Sequence, residues 1–289
     1  MKTKSSIKRY VTGHSIGFHI FTAFFWAWAL ALCFICFWGI CVSLNDTISY
    51  SLNPSKIFPK TINFSNYVNA FRAIEYNNTD FYGMIFNTLW YAVGSAFIRT
   101  FVTVVSAYTI SRYSFPGKKF LYAFVVLQMM IPAYGNQIAS YQLLMDFKLL
   151  DSPMFLITQA AGHGMYFLII YSFFTGTPKD YAESAKIDGA NDWVICFKIS
   201  LPMAINIVLA LFITQLMTLW NDYSSVMIYL PSYPTIASGL FRYREIATFS
   251  LNMPMYFAGM IISALPILIL WIVFNETLMT SMTIGGLKG

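Results

Sequence analysis

The chain is short of charge. Its 289 residues hold 12 Asp and Glu and 18 Lys and Arg, 10% in all, where soluble domains carry roughly 25%. So few charges cannot cover a water-facing surface, which excludes an ordinary soluble globule. Histidine is scarce as well: His14, His19 and His163 do not cluster, and no metal site is expected. Of the four cysteines, Cys33, Cys36 and Cys41 lie in one apolar run and Cys196 stands apart. A single Cys-x-x-Cys without a second pair specifies neither a disulfide framework nor a zinc site. The phosphate-loop pattern Gly-x-x-x-x-Gly-Lys-Ser/Thr is missing, so ATP hydrolysis by this chain is not expected. No His-Glu-x-x-His, Gly-x-Ser-x-Gly or paired-acid motif appears either, and no catalytic residue is assigned. Gly (16) and Pro (11) are too ordinary for a fibrous or disordered chain.

What is abundant is apolar and aromatic. Hydrophobic residues make up 57% and aromatics 18% of the chain, a balance suited to a protein anchored at two membrane–water interfaces. A membrane-spanning helix needs about 20 apolar residues, and six runs qualify. They are Phe18–Ser43, Gly83–Ile110 (interrupted by Arg99), Phe120–Leu144, Met154–Gly176, Leu201 to about Tyr229, and Tyr256 to about Met279. The first follows Lys2, Lys4, Lys8 and Arg9, as in a signal peptide, but it is too long for one and lacks a small-x-small cleavage site, so a retained anchor is expected. Six spans put both termini on one side, and that side collects eleven Lys and Arg against six opposite. The positive-inside rule makes it the cytoplasm. The expected division is a basic segment 1–17, a first span 18–43, an external connection 44–82, a five-helix core 83–280 and a tail 281–289. No internal repeat is visible. The dispersed positive charge points to lipid and not to nucleic acid.

One polar segment interrupts the runs, Thr177 to Pro202, TPKDYAESAKIDGANDWVICFKISLP. Thr177 suits a helix cap, Pro178 a first turn and Asp180 the positive end of the helix dipole. Asp188-Gly189 stops that helix, because glycine accepts the left-handed conformation at its end. Asn191 or Asp192 then caps a second short helix carrying Trp193, Val194, Phe197 and Ile199. The result is a hinged cytoplasmic pair. Ala182, Ser184 and Ala185 are small enough for close approach by another protein, and Glu183 and Lys186 offer it charge.

This segment resembles the cytoplasmic signature of ABC-importer permeases: Glu-Ala-Ala, three residues, Gly, nine residues, Ile-x-Leu-Pro. Here it reads Glu183-Ser184-Ala185, Gly189 and Ile199-Ser200-Leu201-Pro202, with every spacing kept and Ser184 as the departure. The chain from about Asn87 to Gly289 is similar to the carbohydrate-importer branch, of the maltose-permease second-subunit type. Asn87-Thr88-Leu89, Ser111 to Gly117, Trp220-Asn221-Asp222 and Gly285 to Gly289 carry that likeness.

The resemblance implies a type I importer permease fold, all-α with six transmembrane helices and a coupling-helix hairpin, in a bacterial inner membrane. It implies a second permease subunit, a cytoplasmic ATPase dimer that binds ATP and Mg, an external solute-binding protein and a polar solute, most readily a sugar. The coupling residues it implies are Tyr181, Ala182, Glu183, Ser184, Ala185, Asp188, Gly189 and Ala190. From the residues themselves, Tyr134, Asn136 and Gln137 beside Pro132 and Gly135 form the leading candidate group for sugar contact, with Asn87, Tyr91, Trp220 and Asn221 second. Interfacial anchoring and interhelical bonding are competing uses of these side chains. Arg99, deep in the second run, is expected to meet a partner subunit or form a gate, against the alternative of snorkelling. A permease for another polar solute is an alternative. An ion-coupled carrier is disfavoured by the near-absence of intramembrane acids.

Overall fold

The computed structural model describes residues 16–130, 135, 137–161, 164–246 and 252–284. Those residues are helical, with no strand among them beyond a bridge between Tyr76 and Thr79. Two compact units are distinguished, residues 1–70 with 250–261, and residues 71–249 with 262–289.

In the first unit, α1 (Ile16–Ser43) is built from the uninterrupted apolar run. Asp46 caps α2 (Thr47–Leu52) by accepting from Ser49 N–H at 3.1 Å. The Asn66 amide on α3 (Ser65–Ala73) is buried and donates to the carbonyls of Ser43 and Asn45, both at 2.8 Å. These bonds satisfy backbone groups left over where α1 ends. Trp38 meets Phe257 edge-to-face at 5.3 Å, in the first turns of the last helix, α13 (Met253–Ile284).

The second unit is organised on α4 (Phe81–Arg112). Asp80 starts it, accepting from Gly83 N–H at 2.9 Å. Its buried side is rich in small residues, Ala92, Ser95, Ala96, Thr100, Thr103 and Ala107. Without a hydrophobic force between helices in lipid, such residues let backbones approach closely. At Gly94 a Cβ would stand 2.9 Å from Leu156 Cδ1. Against α4 pack the 3₁₀ stretch Pro153–Ala161, α7 (Gly164–Gly176) and α10 (Leu201–Trp220). Val104, Tyr108, Phe167, Ile170, Phe174, Ala204 and Ile207 form the shared core.

Among the described residues, four helices are long and apolar enough to cross a membrane: Gly17–Ser43, Phe81–Arg112, Asp192–Trp220 and Met253–Thr277. The bent pair Pro153–Ala160 and Gly164–Gly176 would make a fifth. The run expected to span Phe120–Leu144 is instead two helices, α5 (Lys118–Met130) and α6 (Gln137–Asp146).

The fifth run also differs from expectation. It starts at Asp192 and ends at Trp220, short of Tyr229. A turn follows, and then α11 (Ser224–Tyr229). Asp222, inside the expected run Leu201 to about Tyr229, therefore lies beyond the end of the helix. Its carboxylate accepts from Ser225 N–H at 3.0 Å and from Tyr91 O–H at 2.9 Å. A carboxylate that caps a helix and takes a tyrosine proton belongs at a helix boundary. Tyr91→Phe removes a buried donor to this carboxylate and is expected to cost about 1.5–3 kcal/mol, read as a lowered thermal midpoint in detergent with uptake retained at permissive temperature.

Candidate functional site

Residues 177–202 fold as a helix, a turn and a longer helix. Thr177 does not cap the first of these: its hydroxyl donates to Phe173 O at 2.8 Å and so closes α7. α8 (Asp180–Ile187) starts at Lys179 without a side-chain cap, and its first turn carries Asp180 and Glu183, which face the positive end of the dipole. The stop is as expected. Ile187 is the last helical residue, Asp188 is the C-cap, and Gly189 has φ +82°. Gly189 N–H donates to Lys186 O at 3.1 Å, and Ala190 N–H to Ala185 O at 2.9 Å. That pair of bonds satisfies two orphan carbonyls in the Schellman pattern, which needs a left-handed residue where Gly189 stands.

Asn191 caps the next helix, its side chain accepting from Val194 N–H at 2.9 Å. Asp192 instead pairs with Lys186 across the turn at 3.2 Å, in water. The second helix is not a separate short piece. After Asp192–Val194 (α9) the chain winds as a π-helix over Ile195–Ser200 and continues into α10. Leu201 N–H reaches back five residues to Cys196 O. Pro202 follows; it has no N–H to give to the carbonyl four residues back, and the wider register absorbs the gap.

No residue of α8 is buried. Tyr181, Glu183, Ser184, Asp188 and Gly189 are exposed, and Ala182, Ala185 and Ala190 are half-buried. Ile187 is 86% and Trp193 73% exposed, flanking the turn. The sequence reading did not single out Ile187; its signal was an aliphatic residue beside a polar helix stop. Between this segment and α4 lies a cavity of about 260 Å³, lined by Tyr108, Arg112, Tyr113, Glu183, Lys186 and Asp192, among others. Arg112 Nε is buried there without an acceptor. The Tyr113 hydroxyl is pushed up to about 12, first by burial and then by Tyr108 and the Asp192 carboxylate, so it is a proton donor at neutral pH.

The expected solute residues are placed as follows. Tyr134 and Asn136 lie outside the described residues. Gln137 is exposed at the start of α6, beside a shallow cavity with Tyr141 and Gln142. Asn87 is buried, donates to Pro234 O at 3.0 Å and accepts from Trp90 Nε1 at 3.1 Å. Tyr91 bonds Asp222. Trp220 Nε1 donates to Ser263 O at 3.0 Å, and Asn221 Nδ2 to Met217 O at 2.9 Å. These four polar groups are engaged in holding helix ends and the stretch 221–235. Arg99 is half-buried, and its Nε and Nη2 both donate to Gln159 Oε1, Nε at 2.8 Å.

The fold has a counterpart among solved structures. A bacterial ABC transporter involved in the import of the acidic polysaccharide alginate matches with a TM-score of 0.78 at 20% identity, over 91% of this chain and 98% of that one. The fold is that of an ABC-importer membrane chain. Residues 100–277 match the family described as the inner membrane component of binding-protein-dependent transport systems, and the chain belongs to that family. It is a permease subunit of an ABC importer in the inner membrane. A probable ABC transporter permease of Pyrococcus horikoshii is 34% identical over 60% of this chain and 63% of its own length. The arabinooligosaccharides transport system permease of Bacillus subtilis is 24% identical over 81% of this chain and 82% of its own. The maltodextrin transport system permease of Streptococcus pneumoniae is 29% identical over 79% and 81%.

Proposed function

We propose that this chain lines half of a sugar or oligosaccharide pathway and that residues 177–202 dock on a cytoplasmic ATPase. The observation that carries the docking is the exposed, apolar-tipped turn at Gly189: Ile187 and Trp193 stand in water on either side of it. Large apolar groups held out from a polar hairpin mark a protein contact. The buried Arg112 Nε beside it is a donor without an acceptor among the described residues, as expected where a partner supplies one. The solute class rests on the relatives named for arabinooligosaccharides and maltodextrin.

In this reading ATP and Mg are held by the ATPase dimer, and this chain is non-catalytic. It pairs with a second permease and receives solute from an external binding protein. Both termini are cytoplasmic and six segments cross the membrane, α5 and α6 together forming the third. ATPase closure moves α8, and the spans switch a central cavity between the two faces. Such a cavity is required because a polyhydroxylated solute in hydrocarbon would leave its hydroxyls unsatisfied.

Co-purification tests the assembly: the chain should bring down an ATPase and a second multi-span protein, and isolation as an active transporter on its own would contradict the reading. Glu183 is exposed, so Glu183→Lys should change stability by less than about 0.5 kcal/mol. The same change should weaken ATPase association by roughly tenfold, about 1.4 kcal/mol, in a pull-down titration. Unchanged association would reduce Glu183 to a solvated helix charge.

A further inference from the structure

Arg99 stands thirteen residues from the end of α4 at Arg112 and eighteen from its start at Phe81. At 1.5 Å per residue it is roughly 20 Å from one end and 27 Å from the other. A charge at that depth costs about 2.5–3.5 kcal/mol on insertion scales and is retained where it has a use. Arg99 forms no ion pair among the described residues. Its hydrogen-bond acceptor among the described residues is a neutral amide oxygen, that of Gln159, which is itself buried and donates onward to Thr158 Oγ1 at 3.1 Å. Two of the five guanidinium N–H groups are used there, so three remain.

The guanidinium lines a cavity of about 300 Å³ with Gln128, Met129, Met165, Tyr166 and Gln215. That volume matches the small end of ligand sites. The lining is mixed in a way that suits one chemistry. A guanidinium offers a planar fork for a carboxylate. Gln215, nearly fully buried, anchors its Nε2 on Thr100 at 3.1 Å, which leaves its carbonyl oxygen for a hydroxyl. Tyr166 offers a ring. Among the described residues no acid lines the cavity, so the described site carries a positive charge at membrane depth.

We propose that this cavity is a subsite for the carboxylate of an acidic sugar, a uronate-type unit of the transported solute, with Arg99 as its specificity residue. The proposal rests on the sugar-permease reading and narrows it to a carboxylated saccharide. The anion neutralises Arg99 during passage, and a sugar hydroxyl meets the Gln215 carbonyl. Gln159 positions the guanidinium by holding Nε and Nη2 from one side.

The test uses the purified full complex, with its partner permease and ATPases, in detergent micelles. Binding of galacturonate and of galactose is titrated by thermal shift on the wild type, Arg99→Gln and Arg99→Lys. Wild type is expected to bind galacturonate at least tenfold more tightly than galactose. Arg99→Gln should bring the two within about twofold, and Arg99→Lys should keep a partial preference, showing that the charge and not the fold is at issue. Equal binding of the two sugars by the wild type, binding of neither, or an acid preference that survives Arg99→Gln would overturn the proposal. Uptake of a neutral oligosaccharide by cells carrying the intact system would in each of those cases leave the sugar-permease reading standing.

Discussion

Gly189→Asp is expected to reduce solute uptake below about a tenth of wild type while the protein still reaches the membrane at normal level. A Cβ added at Gly189 would meet nothing within 4 Å. Only the backbone objects: φ is +82°, and a left-handed residue with a side chain costs roughly 1–2 kcal/mol. Asp and Asn bear that conformation better than other residues. The lesion is therefore local and the spans are unaffected. What changes is the surface presented to a partner, where a second carboxylate appears beside Asp188 on a turn framed by Ile187 and Trp193. Uptake from labelled solute and membrane abundance by immunoblot, measured together, check this. Full uptake at normal abundance would remove Gly189 from the coupling surface.

Phe174→Ala is expected to cost about 3–5 kcal/mol, the range for deleting a buried aromatic. The ring is 1% exposed and meets Tyr108 edge-to-face at 5.2 Å in the core shared by α4, α7 and α10. It sits one turn before the helix gives way to the 177–202 segment, and neighbouring Phe173 supplies the carbonyl that Thr177 uses. The cavity should loosen the base of that segment as well as the bundle. Thermal unfolding in detergent reads the loss. Phe174→Leu, which leaves less empty space, should cost under about 1.5 kcal/mol. If the alanine variant unfolds no earlier than wild type, this cluster is not the main contact of the unit.

Much of this architecture was legible before any coordinates. The runs Phe18–Ser43 and Gly83–Ile110, expected from apolar length alone, are found within helices Ile16–Ser43 and Phe81–Arg112. The stop at Asp188-Gly189 and the cap at Asn191 follow from local chemistry, since each needs only a left-handed residue or a short side-chain acceptor. The misreadings share a cause. Thr177 reads as a cap by type, but its hydroxyl can turn back on a carbonyl four residues earlier, and α7 runs just far enough to offer one. The fifth span reads as starting at Leu201, yet a π register over Ile195–Ser200 joins it to a helix that begins at Asp192. The partners of Asn87 and Tyr91, Pro234 and Asp222, lie 147 and 131 residues away, beyond the reach of any local pattern. Gln159, sixty residues from Arg99, was likewise invisible to any local pattern.

The unbroken helical path from Asp192 to Trp220 has a mechanical side. Twenty-nine residues make a strut roughly 43 Å long. Pivoted at its middle, a strut of that length swings each tip by about 2 Å for a five-degree lean. One tip adjoins the hairpin at Gly189. The other precedes Asp222, whose carboxylate accepts from Tyr91 O–H. The widened turns at Ile195–Ser200 are the one place along the strut where its stiffness is relaxed.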